Sequence, residues 1–408
     1  MEVLQRTANR GSVSTGYDID NSLKFEADNT EYLSWSDVTS YATDARKRTW
    51  SISFWCKRTE IGVQQLPWNS GGNGTLAFQA ADHLNFQQFF SDSASAAKYL
   101  NTNRLFRDPS AWYHIIIAID TTQSTEAHRM RLYVNGEEET SFASTVYPPQ
   151  NATATDIYGS YISLGRSLNW GAGFSGYIAN YYLISEVQLV PTDVGEYDED
   201  SGIWKPKAYA GAITAPSTFL EFKDSSNFKT ATSGLDASVS SNLAAADQAT
   251  DTPTNNFATL NPLMANAGPA NYLPITEGGT KAVNAAAAYK IANSTIGVSN
   301  GKWYWEVKAT DVNGTTGIGV TMPYYWDTDY TLGGCIILSD GRRYNNSSAT
   351  SGVTNTYAAG DIISFALDMD ATPPTLQVYK NNTSEANLMN GLSINGTGGA
   401  FLPVKEDG

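Results

Sequence analysis

The sequence predicts an all-β protein made of two tandem antiparallel β-sandwiches, and three observations carry that expectation. Aromatic residues are 12% of the chain and charged residues only 16%, with a balance leaning to Tyr, Trp, Thr, Ser, Asn and Gly. That mixture suits pleated, half-buried surfaces joined by polar loops. Apolar residues alternate with period two over many short runs, as in strands with one buried face. Asn- and Gly-rich turns separate those runs. At 408 residues there is enough chain for each sandwich to bury its own core.

Residues 1–20 read as a lead-in and residues 21–190 as the first sandwich. SLKFEA (22–27) and EYLSWS (31–36) read as paired short strands. TWSISFWCKR (49–58) alternates strictly and puts Trp50, Ile52, Phe54 and Cys56 on one face. The Gly- and Asn-rich loop LPWNSGGNGT (66–75) precedes LAFQAA (76–81) and LNFQQFF (84–90). WYHIIIAID (112–120) is apolar nearly throughout, as a central strand covered on both faces must be. In MRLYVNGEEET (130–140) Asn135-Gly136 is the turn of a hairpin, and SYISLGR (160–166) and FSGYIANYYLIS (174–185) close the unit.

Residues 191–254 read as a connector, since PTDVGEYDEDSGIWKPK mixes acids with Gly between Pro191 and Pro206. FLEFKDSS (219–226) is a candidate further strand, whereas 229–256 is poor in apolar residues and is expected to be extended loop. Residues 255–408 hold the second sandwich. In AAAAYKIANSTIG (285–297) the Ala run favours helix, but Val283, Tyr289 and Ile291 beside GKWYWEV (301–307) favour strand. GIGV (317–320), Gly333-Gly334-Cys335, GRRYNN (341–346), GDIISFALDMD (360–370), TLQVYKNN (375–382) and FLPV (401–404) then follow as strands and turns.

Composition also excludes functions. A net charge of −15 argues against nucleic acid as a main partner, because phosphate contacts need clustered Lys and Arg. The one basic cluster, Arg46-Lys47-Arg48, reads as a solvated turn. Cys56 and Cys335 fall in separate sandwiches and read as buried thiols. MEVLQRTANRGSVST has no apolar export core and no run reaches membrane-spanning length, so neither export nor membrane insertion is expected. Catalysis is not expected either. Glu196, Asp198 and Asp200 alternate as glycosidase carboxylates do, but they lie in a Gly-flanked acidic stretch without apolar flanks, and Glu137-Glu138-Glu139 merely follows a hairpin turn. His114 sits in an apolar strand, and His83 and His128 lack metal-ligand spacing. There is no GxSxG elbow and no phosphate loop.

SISFWCKR, AWYHIIIAIDTT, RLYVNGEE and SLGRS followed by FSGYIANYYL resemble, over about residues 20–190, a laminin-G-like domain of the concanavalin A-like jelly-roll superfamily. The run from GKWYWEV to FLPV resembles a SPRY domain. The SPRY pattern carries a further strand after FLPV, whereas here KEDG follows, so the second sandwich is expected to lack its last strand: the polypeptide is cut, or a partner completes the edge. The two units in this order, with IWKPK and NNFATLNPL between them, resemble structural or tail-fibre proteins in virions of tailed marine bacteriophages. That resemblance implies a non-enzymatic virion surface protein, in place on the particle, that binds host-surface polysaccharide for adhesion. The alternative it leaves open is a purely architectural virion protein. Implied partners are the host polysaccharide, other virion proteins and further copies of the chain. No resident cofactor is implied except calcium, which laminin-G-like rims often hold; Asp108, Asp120, Asp156 and Asn169 are the loop oxygens to weigh, and no spacing fixes a ligand set.

Sugars present apolar C–H faces that stack on exposed aromatics, while Asn, Asp and Arg fix their hydroxyls. Candidate groups on loops are Trp68 with Asn69, and Asn169 with Trp170. In the second sandwich PYYWDTDY supplies Tyr324, Tyr325, Trp326, Asp327, Asp329 and Tyr330, and the next turn supplies Arg342 and Arg343. Against each stands the reading that it packs under its own loop. Trp50, Trp55, Trp112, Trp303 and Trp305 fall in strands and are expected to serve mainly core or inter-sheet packing.

Overall fold

The computed structural model describes residues 16–36, 38–263, 274–283, 290–312, 316–321, 334–345, 348–350, 356–384 and 402–407. It divides into two units, one ending at Phe257 and one beginning at Ala258. Among the described residues both consist of antiparallel strands, and helix is confined to short turns such as Asp44–Arg48, N-capped by the Thr43 side chain. Among the described residues no helix is long and apolar enough to cross a membrane.

The first unit is a two-sheet sandwich. One sheet runs through Glu137–Glu138, Met130–Val134, Tyr113–Asp120, Thr49–Arg58, Gly176–Ser185, Ser22–Phe25 and Gln248–Ala249, and Thr218–Leu220 with Ser233–Gly234 branches from Gly176–Ser185. The other runs through Phe142–Val146, Ser93–Leu105, His83–Phe90, Gly74–Phe78, Gln65–Ser70, Ile162–Leu164, Tyr32–Trp35 and Val239–Ser241. The alternation at Thr49–Arg58 does what the pattern predicts. Trp50, Ile52, Phe54 and Cys56 face the interior with Ile115, Ile117 and Ile119 of the neighbouring strand. Opposite them come Trp35, Trp68, Phe78, Phe86 and Leu164 from the second sheet. Each such side chain contributes about 1.5–3 kcal/mol by leaving water.

The outer face of the first sheet is also covered. Ile116, Ala118 and Tyr182 pack against Leu189, Val194 and Phe219, and Trp55 packs with Trp112, Tyr177 and Trp204. The hairpin at Asn135-Gly136 forms as expected, both residues taking positive φ (50° and 86°), as a tight two-residue turn requires.

Two expectations fail here. Ser22–Phe25 and Tyr32–Trp35 do not pair with each other; they sit in different sheets. Nor are residues 191–254 a connector. Gly195–Tyr197 pairs with Trp204–Pro206, Thr218–Leu220 joins Gly176–Ser185, Val239–Ser241 joins Tyr32–Trp35, and Gln248–Ala249 joins Ser22–Phe25. The two short N-terminal strands offer backbone N–H and C=O groups that need partners, and a polar stretch satisfies them as well as an apolar one.

The end of this unit is fastened through a buried charge. Lys57 is fully buried, and its Nζ donates to Asp251 Oδ2 (2.8 Å), Asn256 Oδ1 (2.9 Å) and the Phe257 carbonyl (2.6 Å). Asp251 Oδ1 accepts from the Trp112 indole at 3.0 Å. Burial pushes the Lys57 amine below the ordinary lysine range, and Asp251 opposes that shift. Its neighbour Arg58 points to the other face, donating to Asp82 (3.2 Å) and the Phe106 carbonyl (2.6 Å) with its guanidinium 4.5 Å from the centre of the Phe78 ring.

In the second unit one sheet runs through Lys290–Asn293, Leu402–Asp407, Thr316–Thr321, Gly334–Leu338, Arg343–Asn345 and Ser348–Thr350. The other runs through Lys302–Lys308, Ile362–Asp368, Thr375–Lys380 and Thr383–Ser384. Strand was favoured over helix for 285–297, and Lys290–Asn293 is a strand. Trp303, Trp305 and Val307 turn toward a core of Phe365, Leu367, Leu376 and Val378, with Trp305 stacked on Phe365 at 5.0 Å. The expectation of an open edge beside FLPV is corrected: Leu402–Asp407 is flanked by Lys290–Asn293 on one side and Thr316–Thr321 on the other. Cys56 and Cys335 are both buried, as expected, each within its own unit.

Replacing Asp251 by Ala leaves the Lys57 ammonium buried without its counter-charge. Chemical denaturation of the D251A chain is expected to show the first unit losing about 3 kcal/mol or more, whereas a loss below about 0.5 kcal/mol, the usual size of a neutral surface change, contradicts this role.

Candidate functional site

Trp68 and Asn69 are not on a loop. They belong to the strand Gln65–Ser70 and are fully buried. Trp68 lies 5.9 Å from Trp50 in a stacked pair and donates its indole N–H to the Tyr181 hydroxyl at 3.1 Å, while Asn69 Nδ2 donates to the Gly74 carbonyl at 2.8 Å. The glycines that suggested a loop begin only at residue 71.

The turn that follows does form one side of a rim. Gly71 and Gly72 take positive φ (55° and 92°). A Cβ on Gly71 would meet Asp156 Cα at 2.8 Å, and one on Gly72 would meet Asn169 Nδ2 at 1.9 Å. Segments 155–161 and 165–174 therefore close directly onto this turn, and only glycine permits it. Asp156 ties the corner together. Its Oδ2 accepts from the Phe89 N–H at 3.3 Å and its carboxylate takes hydrogen bonds from Asn73 and Thr155, while burial, the largest effect, pushes its pKa up to about 6.

Trp170 stands at the tip of the third segment, 50% exposed. The tip is braced: Ser167 Oγ accepts from the Trp170 N–H (3.3 Å), the Ser167 carbonyl from the Gly171 N–H (3.1 Å), and the Ala172 carbonyl from the Ser167 N–H (2.9 Å). Arg166 and Gly173 close the loop with a bridge, and Arg166 Nη1 donates to the Ala27 carbonyl at 2.9 Å. The rim thus offers an exposed indole, the Asn169 amide beside Gly72, and Asn73 held by Asp156. The parts for stacking and for hydroxyl recognition are together. Asn73 and the bracing role of Asp156 escaped the sequence reading, although the paired glycines marked where other segments approach closely.

The remaining candidates lie elsewhere. Tyr324, Tyr325, Trp326, Asp327, Asp329 and Tyr330 fall outside the described residues. Arg342 is engaged by Asp340, with Nε 2.7 Å from Oδ2, and Arg343 lies in the strand Arg343–Asn345. The oxygens weighed for calcium are not gathered. Asp108 accepts from the Ser110 N–H (2.8 Å) and Asp120 from the Thr122 N–H (3.0 Å), and only Asp156 and Asn169 border the same turn. Among the described residues no three His, Cys, Asp or Glu side chains are grouped to hold a metal.

The acid–base groups are occupied structurally. His114 Nε2 is 2.8 Å from Ser53 Oγ, a spacing that suits a nucleophile and its base. However, Nδ1 accepts the Trp204 indole N–H at 3.0 Å, so the ring proton sits on Nε2 and no lone pair faces the serine. The ring also stacks on Trp55 at 4.6 Å, and burial pushes its pKa down to about 3. Asp198 is held down to about 2, first by hydrogen bonds from Ser201, the reverse of what a general acid needs. Glu31 is pushed up to about 7, chiefly by burial, but it braces a turn: Oε2 accepts from the Glu26 N–H at 2.6 Å and Oε1 from Asn29 at 3.2 Å.

A family model described as the Concanavalin A-like lectin/glucanases superfamily matches residues 13–193. No curated protein matches the chain. Among solved structures, the chain is similar to the SPRY domain of human HERC1, at 19% identity over 30% of this chain and 76% of that one, with a TM-score of 0.25. It is also similar to the CBM40 of the Ruminococcus gnavus IT-sialidase, at 14% identity over 42% of this chain and 94% of that one, with a TM-score of 0.28.

His114 fixes a pH dependence. Its folded pKa, about 3, lies below the ordinary 6.5, so on acidification the unfolded chain takes up a proton that the folded chain refuses. Stability from this residue is intact above about 6.5 and falls as pH drops toward about 3, by several kcal/mol in all. In NMR spectra the His114 imidazole is expected to stay neutral at pH 4.5, about two units below the free value; titration near that free value contradicts the assignment.

Proposed function

We propose that the first unit is a non-catalytic glycan-binding domain acting at the rim formed by Trp170, Asn169 and the turn at residues 70–74. The observation that carries this reading is the half-exposed Trp170 on a loop braced at both ends. Bracing the loop backbone that carries the indole before a ligand arrives removes part of the ordering cost of stacking a sugar face on it. Asn169 and Asn73 stand where they can orient hydroxyls, and the buried His114, its Nδ1 taken by the Trp204 indole, is not a base at this rim.

The setting proposed for this activity is the surface of a tailed-bacteriophage particle, where the domain grips host-surface polysaccharide for adhesion. The order of the two sandwich types along the sequence supports it, and many copies on one particle multiply weak contacts into firm attachment. A second reading, an architectural virion component contacting other virion proteins, is favoured by one face of the second unit. There Tyr304 is 59% exposed, and Ile362 and Ala366 belong to the same outer face.

Trp170→Ala is expected to weaken binding to the glycans or host envelopes that the intact chain selects by about tenfold or more, the size of a lost stacking contact, with thermal stability unchanged. Gly72→Ala, which drives Asn169 from its place, is expected to weaken binding too. Undiminished binding by both variants removes the rim from the mechanism. Particles that fail to assemble with Tyr304→Ala while still binding glycan favour the architectural reading.

A further inference from the structure

The stretch that composition marks as a connector builds a second concavity, on the outer face of the nine-stranded sheet. It has a volume of about 310 Å³, and its walls are Tyr17, Tyr182, Tyr209, Phe219, Ile213 and Glu221. Tyr182 and Phe219 stack at 4.2 Å with their planes 3° apart, and Tyr209 stands edge-on to Tyr182 at 6.2 Å. The Glu221 side chain is only 14% exposed. Its Oε1 accepts from the Tyr17 hydroxyl at 3.3 Å, and that hydroxyl in turn accepts from Asn180 Nδ2 at 3.0 Å.

We propose that this pocket binds an organic cation carrying a quaternary ammonium head. The Tyr182–Phe219 pair forms a closed floor by stacking on itself, while the Tyr17 and Tyr209 rings beside it attract a cation through their quadrupoles and the Glu221 carboxylate adds a full negative charge; together they favour a large, weakly hydrated cation. No Lys, Arg or His is among the pocket's lining residues. The phenols stay neutral near pH 7: burial, and secondarily the Glu221 charge, push Tyr17 up to about 12. A sugar needs several free donors and acceptors; in the wall the Tyr17 hydroxyl is already used on both sides, and of the aliphatic hydroxyls Thr232 Oγ1 accepts from the Glu221 N–H at 3.2 Å, which leaves Ser233. A methylated ammonium needs none. Lys223 shows the carboxylate's preference, its Nζ lying 3.0 Å from Glu221 Oε2, but its side chain is 57% exposed and is easily displaced by a better-fitting cation. The chain's net charge of −15 draws cations toward it. This inference stands apart from the glycan-binding rim, which lies on other segments.

The test is to titrate the full chain with choline, with tetramethylammonium and with the uncharged isostere 3,3-dimethylbutanol, following intrinsic fluorescence or NMR shifts. Both cations are expected to saturate, and the isostere to bind about tenfold more weakly. Lys223→Gln, a change at an exposed position, is expected to tighten choline binding about threefold by removing the competing charge. Glu221→Gln is expected to weaken it about tenfold, and Trp170→Ala to leave it unchanged. Equal binding of the isostere, no saturation by either cation, no gain on Lys223→Gln, or loss on Trp170→Ala each overturns the proposal. Phosphatidylcholine vesicles run beside free choline distinguish a headgroup reached on a bilayer from one met in solution, and binding of either kind supports it.

Discussion

One layer of aromatic rings between two sheets sets the geometry of the first unit. Trp50 lies against Trp68, both approach Phe86, and Trp35 and Phe54 approach Tyr181. Because side chains alternate along a strand, fixing Trp68 toward the core puts Asn69 on the opposite, also buried, face of the sheet and sets the point where the strand must give way to the turn at Gly71. The rim is therefore a direct extension of the core, and its loops close onto glycines whose position the core dictates. A slip of one residue in that strand would take the indole out of the core and dissolve the rim together.

Much of this was legible in the amino-acid pattern. The inward face of Thr49–Arg58, the doubly covered strand at Tyr113–Asp120 and the Asn135-Gly136 turn all follow from period and turn chemistry. Asn169 and Trp170 were legible because a Trp beside glycine in a polar stretch has little to pack under. Trp68 was misplaced because glycines further along pulled the loop's expected start too far upstream, and register is invisible to composition. The polar tract at 229–256 misled for a related reason: a ladder of backbone hydrogen bonds needs no apolar side chains. The aromatic pocket leaves no local signature, since Tyr17, Tyr182, Tyr209 and Glu221 meet only through the pairing of distant strands.

Lys57 and Arg58, adjacent in sequence and opposite in direction, close the two faces of one strand with charge instead of hydrocarbon. Burying two cations is expensive, and such pairs are weak arguments for raw stability. Their value lies in selection. Lys57 accepts only an arrangement that brings Asp251, Asn256 and the Phe257 carbonyl to one point, and Arg58 only one that brings Asp82 and Phe106. A threading that moves residues 251–257 from this place leaves the Lys57 ammonium without its oxygen ligands.

The late strand at Gln248–Ala249 and the carboxylate at Asp251 close the first unit on its own beginning: its first strand is completed by nearly its last residues. The segment that family similarity delimits, ending at residue 193, is thus smaller than the physical cassette. A lineage that shuffled domains at the similarity boundary would inherit a sandwich with two raw edges and a stranded ammonium. Successful recombination has to carry the polypeptide through to Phe257, so across 194–257 drift is tolerated at the exposed polar positions but not at Trp204, Phe219, Asp251 and Asn256, nor in the length and path of the segment.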